Sequence, residues 1–194
     1  LKRPPDRYRL LSPTSIFRLN LKSVVQALEK RHPTAEVESI RRVFPNRVQA
    51  FLRPKPVVAQ VHVSQRYYPV TEEGTVLSVG QPNPWPHLSI IYLEGQQGSF
   101  RIGATLKYPG FYQASELLKA IHRQGGLAGH WVSSIRLKGR DLFLFLDSGL
   151  ELRFNRDRLL AGWQQLGQLL GQRPKLLTEA RYLDFRFEDP VIGR

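Results

Sequence analysis

The stretch that decides the fold is residues 131–155, which read WVSSIRLKGRDLFLFLDSGLELRFN. Short turns at 138–139 and 147–149, rich in Gly and polar residues, separate three apolar runs. In the last run, apolar side chains face one way while Glu151 and Arg153 face the other. The stretch therefore predicts an antiparallel meander with one solvated face. The predicted strands are Trp131 to Leu137, Asp141 to Leu146 and Leu150 to Phe154.

After the meander, the sequence predicts one helix and one closing strand. Asn155 can cap a helix that ends at Gly171 and carries apolar residues at spacings of three and four residues. An extended segment, Arg181 to Phe187, follows. Pro190 and Gly193 are expected to break any regular element beyond it.

Before the meander, the sequence predicts extended segments and a second helix. Residues 57–63 have extended character, and residues 67–79 read as a hairpin with Gly74 at its turn. A helix is predicted from Ser115 to the glycine pair at 125–126.

The first third of the chain predicts a small unit of one helix and one hairpin. Asn20 can cap an amphipathic helix that Pro33 stops. Residues 35–43 and 47–53 then form two strands, and the second alternates apolar and polar side chains. With the larger region, this unit makes the predicted fold α+β.

Positive charge is concentrated in this same first third. The chain has 29 Lys and Arg against 16 Asp and Glu, and residues 1–66 hold 14 of the former and 4 of the latter. Such a surface would suit phosphates, anionic lipid headgroups or an acidic partner, or would serve solubility alone. The predicted basic face consists of Arg41, Arg42, Arg47 and Arg53.

The sequence contains no constellation for catalysis, for a cofactor or for a metal. It has no Cys, so disulfides and thiolate ligands are excluded, and its five His are isolated from one another. It lacks a phosphate-binding loop and a Gly-x-Ser-x-Gly elbow. The adjacent carboxylates at 72–73 and 188–189 point to opposite faces of an extended backbone. We therefore predict that the protein is not an enzyme.

No apolar run approaches the ~20 residues that span a bilayer. The chain begins at Leu1 rather than Met. We interpret it as a fragment or a processed product, with any membrane anchor expected ahead of Leu1.

Several motifs, in order along the chain, resemble the FtsQ/DivIB family of bacterial cell-division proteins. SIFRLNL at 15–21, AEVESIRRVFPN at 35–46 and PVVA at 56–59 are similar to the POTRA domain of that family. YPVTEEGTVL at 68–77 is similar to its next strand and turn, and YLDFRF at 182–187 to its closing strand.

The resemblance implies two domains and a function without catalysis. Residues 1–59 would be a POTRA-like domain, truncated or abbreviated at its start. Residues 60–194 would be a β domain with a mostly antiparallel sheet, two helices and a partner-binding closing strand. The family implies a single-pass divisome scaffold on the outer, periplasmic side of the plasma membrane that acts in septum formation. Its implied partners are FtsB-like and FtsL-like proteins, with other divisome proteins at the POTRA-like domain.

The closing strand is where the resemblance places the main partner. A strand near a sheet edge can accept a partner strand through main-chain hydrogen bonds. By position in the motif, Arg186 would pair with a partner carboxylate and Phe187 would be a buried anchor. Alternatively, Leu183, Phe185 and Phe187 would be the core face of a closing strand. The predicted partner-binding residues are Tyr182, Asp184, Phe185, Arg186 and Phe187.

Two other functions fit part of the sequence. The basic face would suit a nucleic-acid-binding protein, but the absence of an aromatic ladder or a reading helix beside the arginines disfavours nucleic acid. POTRA-like units are also modules of secretion and outer-membrane assembly proteins, where they add strands to client segments. Near a membrane, the charge of residues 1–66 would attract anionic headgroups.

Overall fold

The computed structural model of the protein describes residues 19–123, 127, 129–173 and 175–193. Within these residues the strands form one sheet of two strands and one of eight, with helices beside them. The predicted α+β class is confirmed. The predicted motif at 15–18 lies outside the described residues.

The two-stranded sheet and one helix form a small unit, called here the hairpin unit. Helix α1 spans Leu21–Arg31, and the side chain of Asn20 caps it by accepting a hydrogen bond from the backbone N–H of Lys22 at 3.0 Å. Strands β1 (Ala35–Val43) and β2 (Arg47–Pro54) pair antiparallel. The predicted helix and hairpin are both present. The unit buries Val24, Leu28 and Ala50 in an apolar cluster of its own.

The larger sheet contains the predicted meander near its centre. Its strands in chain order are β3 (Ala59–Val63), β4 (Arg66–Val70), β5 (Ile90–Leu93), β6 (Val132–Lys138), β7 (Asp141–Leu146), β8 (Glu151–Asn155), β9 (Tyr182–Asp184) and β10 (Val191–Gly193). They lie across the sheet in the order β10-β9-β8-β7-β6-β5-β3-β4. The meander of β6, β7 and β8 is antiparallel as predicted. Parallel pairs join β3 to β5, β5 to β6 and β8 to β9, so the sheet is mixed.

Helices cover one face of this sheet. Helix α2 spans Phe111–Arg123, and α3 spans Leu159–Gln172 after a 3-10 turn at Arg156–Arg158; the short α4 is Leu176–Glu179. Every second residue of β7 and β8 is buried. These buried side chains join those of α2 and α3 in one continuous apolar cluster. The sheet therefore has a helix-covered face and an outer face whose side chains are partly exposed.

The second predicted helix begins earlier than the sequence indicates. It starts at Phe111, directly after Gly110, whose φ of +84° turns the chain into the helix. Ser115 is an interior residue, and its hydroxyl donates to the carbonyl of Glu72 at 2.9 Å. The predicted stop at 125–126 lies outside the described residues.

The antiparallel pairing predicted within residues 67–79 is present: Val70 bridges to Val76, and Gly74 lies in the turn with a φ of +79°. Strand β4 pairs with β3 around a turn at Ser64 and Gln65, which have φ values of 47° and 60°. The chain beyond β4 contributes isolated bridges, such as that between Val70 and Val76. Ser and Gln are uncommon at positive φ, so the turn between β3 and β4 could not be predicted from its residues. Strands β5 and β10 have no predicted counterpart, because strands of four and three residues are too short to show alternation.

Candidate partner-binding site

The closing segment lies near the edge of the sheet, as predicted, but it is not the edge strand itself. Of residues 181–187, only Tyr182–Asp184 forms a strand, and β9 lies between β8 and β10. Strand β10 forms where Pro190 and Gly193 are expected from the sequence to break regular structure. Pro190 precedes the strand and Gly193 is its last residue, so neither interrupts it. The edge of the sheet therefore belongs to β10.

The two edges of the larger sheet differ in what lies beside them. Strand β4 is flanked by the returning chain, which bridges Tyr67 to Gln81 and Val70 to Val76. Strand β10 has β9 as its only strand neighbour among the described residues. The β10 edge is therefore the one that has room for a further strand.

The predicted partner-binding residues divide between the core and the surface. Phe185 is 1% exposed and stacks on Phe154, with ring centroids 5.2 Å apart. It is a core residue in this fold, so we no longer assign it a contact with a partner. Asp184 is 3% exposed and lies on the outer face, bonded to Arg186. Phe187 is 56% exposed and remains available for contact.

Two carboxylates hold Arg186 in place. Its Nε and Nη2 donate to Oδ1 and Oδ2 of Asp184 at 2.9 and 2.7 Å, and its Nη1 donates to Oδ2 of Asp141 at 3.0 Å. The guanidinium carbon lies 5.7 Å from the ring centroids of both Phe143 and Phe187. A guanidinium has five N–H donors. The contacts to the two carboxylates use three of these donors, which fixes the plane of the group and leaves donors for a further acceptor.

A second arginine lies beside Arg186 on the outer face. Arg153 donates two hydrogen bonds of 3.1 Å to Glu151, and its guanidinium carbon lies 4.1 Å from the ring centroid of Tyr182. Its Nη1 is 3.8 Å from Oδ2 of Asp184. These contacts fix the ring of Tyr182 next to the charged groups. We define the ion-pair cluster as Asp141, Glu151, Arg153, Asp184 and Arg186.

Asp184, Arg153 and Arg186 of the ion-pair cluster are charged at neutral pH. Burial would raise the pKa of Asp184, but hydrogen bonds from the side chain and backbone of Arg186, with the charges of Arg186 and Arg153, outweigh it and hold that pKa below its ordinary value. The hydrogen bond to Asp184 raises the pKa of Arg186. The hydrogen bond to Glu151 raises the pKa of Arg153. The buried carboxylate of Asp184 is therefore compensated by its neighbours.

Two members of the ion-pair cluster, Arg153 and Asp184, belong to a row of side chains that crosses the outer face. Strand register places one residue of each strand in this row, which ends at the open edge. The row mixes aromatic and charged side chains, a composition that is enriched in protein interfaces when the charge is Arg. Its members in order across the sheet are Tyr67, His62, Tyr92, Arg136, Phe143, Arg153, Asp184 and Val191.

Sequence reasoning missed Asp141 and Glu151 as parts of the site. They belong to β7 and β8: Asp141 accepts a hydrogen bond from Arg186, and Glu151 accepts two from Arg153, which the parallel pairing of β8 with β9 places opposite Asp184. A solvated strand face was predicted for Glu151. Strands β8 and β9 pair in parallel and are separated in sequence by α3, and no residue near either strand indicates this pairing. The residues that lie next to Glu151 on this face could therefore not be predicted.

The four predicted basic residues do not share one face of the hairpin unit. Arg41, Arg47 and Arg53 lie on the outer face of the two strands. Arg42 lies on the helix side, where its Nη2 donates to a backbone carbonyl ahead of α1 at 2.8 Å. The charge of Arg53 is paired with Glu36. Positive charge on the outer face is therefore concentrated towards the hairpin tip, at Arg41 and Arg47.

Within the described residues, no group of three or more His, Asp or Glu side chains is arranged to hold a metal ion. No helix of the described part is long and apolar enough to cross a bilayer.

Comparison with known proteins identifies a family. The family model described as "Cell division protein FtsQ/DivIB, C-terminal" matches residues 59–186. A similar solved structure is the major extracytoplasmic domain of the trans isomer of the bacterial cell-division protein DivIB from Geobacillus stearothermophilus. It shares 15% identity at a TM-score of 0.39, over 62% of this chain and 98% of that one. No curated protein matches the chain.

Proposed function

Because the chain belongs to the FtsQ/DivIB family of cell-division proteins, we propose that it is a non-enzymatic scaffold that binds other proteins of the division machinery. Its proposed partners are membrane proteins of the FtsB and FtsL type. They would bind on the outer side of the plasma membrane, at the end of the larger sheet formed by β9 and β10. The hairpin unit would be available to further division proteins.

The observation that carries this proposal is the open edge of β10. The carbonyl of Gly193 faces β9, where it accepts a hydrogen bond from the N–H of Arg181 at 2.8 Å. Backbone groups alternate sides along a strand. Ile192 therefore directs its N–H and C=O towards the open edge. A partner segment in extended form would pair with these groups and continue the sheet.

Side chains beside this edge would give the pairing specificity. Phe187 presents an exposed ring at the turn between β9 and β10. Arg186 lies next to it and keeps unused N–H donors for a partner carboxylate. Because the ion-pair cluster fixes Arg186, little side-chain entropy would be lost when a partner binds.

We also propose that the chain consists of two domains, a POTRA-like one over about residues 1–59 and a β domain over about residues 60–194. The two separate apolar clusters support this division. Ala59 is buried in the cluster of the larger sheet. The boundary would therefore fall between Pro54, the end of β2, and Ala59, the start of β3.

A calorimetric titration with the extracytoplasmic segment of the FtsB-type protein from the same genome tests the proposal. Ile192→Pro removes the outward N–H, and Ile192→Ala is its matched control, since it loses the same side chain but keeps the N–H. Phe187→Ala tests the proposed anchor, and Leu160→Ala, on an exposed residue of α3, is its control. Arg186 is not replaced here, because its loss would leave Asp184 buried without its main partner.

We expect saturable binding by the parent chain and by both control variants. Ile192→Pro should abolish it, and Phe187→Ala should weaken it about tenfold or more, as loss of an interface anchor does. Circular dichroism would establish that each variant is folded. Equal binding by Ile192→Pro and Ile192→Ala would contradict strand addition at β10. Absence of binding by the parent to the FtsB-type segment, alone and in complex with its FtsL-type partner, would contradict the proposed partners.

A further inference from the structure

The tip of the hairpin unit carries the most exposed large apolar side chain of the described residues. Phe44 lies in the turn between β1 and β2 and is 80% exposed. The two residues after it, Pro45 and Asn46, are also exposed. An isolated aromatic side chain at the end of a hairpin contributes nothing to the cluster beneath α1, which lies further along the strands. Its exposure therefore has no explanation in the folding of this unit.

Uncompensated positive charge surrounds Phe44. Arg47 pairs across the turn with Val43, and Arg41 lies one pair further along the same outer face. Arg41 contacts only neutral groups among the described residues: its Nε and Nη2 donate to Oε1 of Gln49 at 3.1 and 2.9 Å. No carboxylate of the described residues forms an ion pair with Arg41 or Arg47. The tip thus combines an apolar group with two free charges.

This combination matches an anionic bilayer surface better than a nucleic acid. Phosphate groups of either ligand would attract the arginines. A nucleic-acid backbone would leave Phe44 in water, whereas a bilayer offers an acyl region directly beneath its phosphates. The guanidinium groups would remain at headgroup level while the ring enters the acyl boundary. The aromatic ring on the outer face, Phe51, is already covered by Arg41 at 5.5 Å and is not a free platform for a base.

We infer that the hairpin tip docks on an anionic lipid surface, with Phe44 inserted below the headgroups and Arg41 and Arg47 bound to their phosphates. This docking is independent of the function proposed for β10, since it uses the other end of the chain.

Co-sedimentation of the chain with vesicles tests the inference. Vesicles of phosphatidylethanolamine with phosphatidylglycerol would be compared with vesicles of phosphatidylcholine alone. The variants are Phe44→Ser and the double variant Arg41→Glu with Arg47→Glu. Their matched controls are Tyr112→Ser, at an exposed aromatic side chain of α2, and Arg101→Glu with Arg173→Glu, which changes the net charge equally at exposed residues outside the hairpin unit.

We expect the parent chain to bind vesicles that contain phosphatidylglycerol. The affinity should fall about fivefold or more for each arginine replaced, because a basic residue at such a surface contributes about 1 kcal/mol. Phe44→Ser should lose binding, while both controls should keep it. In Phe44→Trp, acyl-brominated lipids should quench more fluorescence than in the parent. Equal loss in the charge control, full binding by Phe44→Ser or no vesicle binding at low salt would overturn the inference. A different result would indicate a nucleic-acid site instead of a lipid site. In that case the chain would not bind vesicles but would bind duplex DNA tightly, and Phe44→Ser would bind DNA equally well.

Discussion

The hairpin unit and the larger sheet differ in the size of the apolar cluster that stabilises each of them. The larger sheet packs against α2 and α3 through one continuous cluster that runs from β3 to β9. The apolar cluster of the hairpin unit has only three buried residues, Val24, Leu28 and Ala50. The larger sheet can therefore fix side chains rigidly on its outer face. The hairpin unit depends on a few local contacts, and its surface charges are less constrained.

The arginines of the two regions illustrate the same difference. Arg153 and Arg186 lie against carboxylates and aromatic rings that set their orientation. Arg41 and Arg47 have no carboxylate partner among the described residues. Arginine thus forms ion pairs beside the closing strand of the larger sheet, whereas in the hairpin unit it supplies net positive charge.

The largest expected effect comes from removing a core side chain at the closing segment. Phe185→Ala should reduce the free energy of unfolding by about 4 kcal/mol, because a buried aromatic leaves a cavity between β8 and α3. Leu28→Ala in the hairpin unit should cost about 2 kcal/mol and melt that unit alone. Urea unfolding, with hydrogen exchange to locate the loss, measures both. Loss of protection throughout the larger sheet in Leu28→Ala would contradict the independence of the two regions.

A smaller loss is expected when the ion-pair cluster is broken. Arg186→Gln should cost about 2 to 3 kcal/mol, since Asp184 stays buried with Arg153 as its remaining cation. Asp184→Asn in the same chain should restore part of this loss. Arg47→Gln, on the exposed hairpin face, should stay within about 0.5 kcal/mol of the parent. Equal costs for Arg186→Gln and Arg47→Gln would show that the ion-pair cluster does not hold the closing segment.

Acid should weaken the larger sheet through Asp184. Its folded pKa lies below its ordinary value of 3.8. As the pH falls, the carboxylate of Asp184 is therefore protonated in the unfolded chain before it is protonated in the folded one. The stabilisation is complete above the ordinary pKa and is lost as pH drops through the lower folded one. Unfolding midpoints measured against pH should fall less steeply for Asp184→Asn than for the parent, and parallel curves would refute this assignment.

The smallest effect should follow from removing the cap of α1. Asn20→Ala deletes the hydrogen bond to the N–H of Lys22 and should cost about 1 kcal/mol. Amide exchange should speed up in α1 and in the hairpin while β6 to β8 remain protected. Asn20→Ser, which can still cap, is the control. Faster exchange in β6 to β8 would mean that the hairpin unit also stabilises the larger sheet.

How far the fold could be predicted depends on how local each element is. The cap at Asn20, the hairpin of 35–54 and the meander all have their causes within a few residues, and the structure contains them. Three pairs of strands are parallel and are separated by long connections, so no turn residue indicates that they pair. These pairs are β3 with β5, β5 with β6, and β8 with β9.

The candidate site shows the same limit. The motif around Arg186 and Phe187 places the candidate site at the end of the sheet where β9 and β10 lie. The edge strand itself was missed, because Pro190 and Gly193 flank only three residues that pair with β9. Of the two carboxylates that orient Arg186, Asp184 lies in the motif itself, whereas Asp141 could not be predicted because it is remote in sequence.

Amide hydrogen exchange at Ile192, measured by NMR with and without the FtsB-type segment, tests the central claim most directly. Strand addition at β10 predicts that the Ile192 N–H becomes protected when the segment binds, while the amides of residues 35–54 do not change. Saturable binding that leaves the Ile192 amide exchanging as in the free chain, or that protects the hairpin instead, would contradict it.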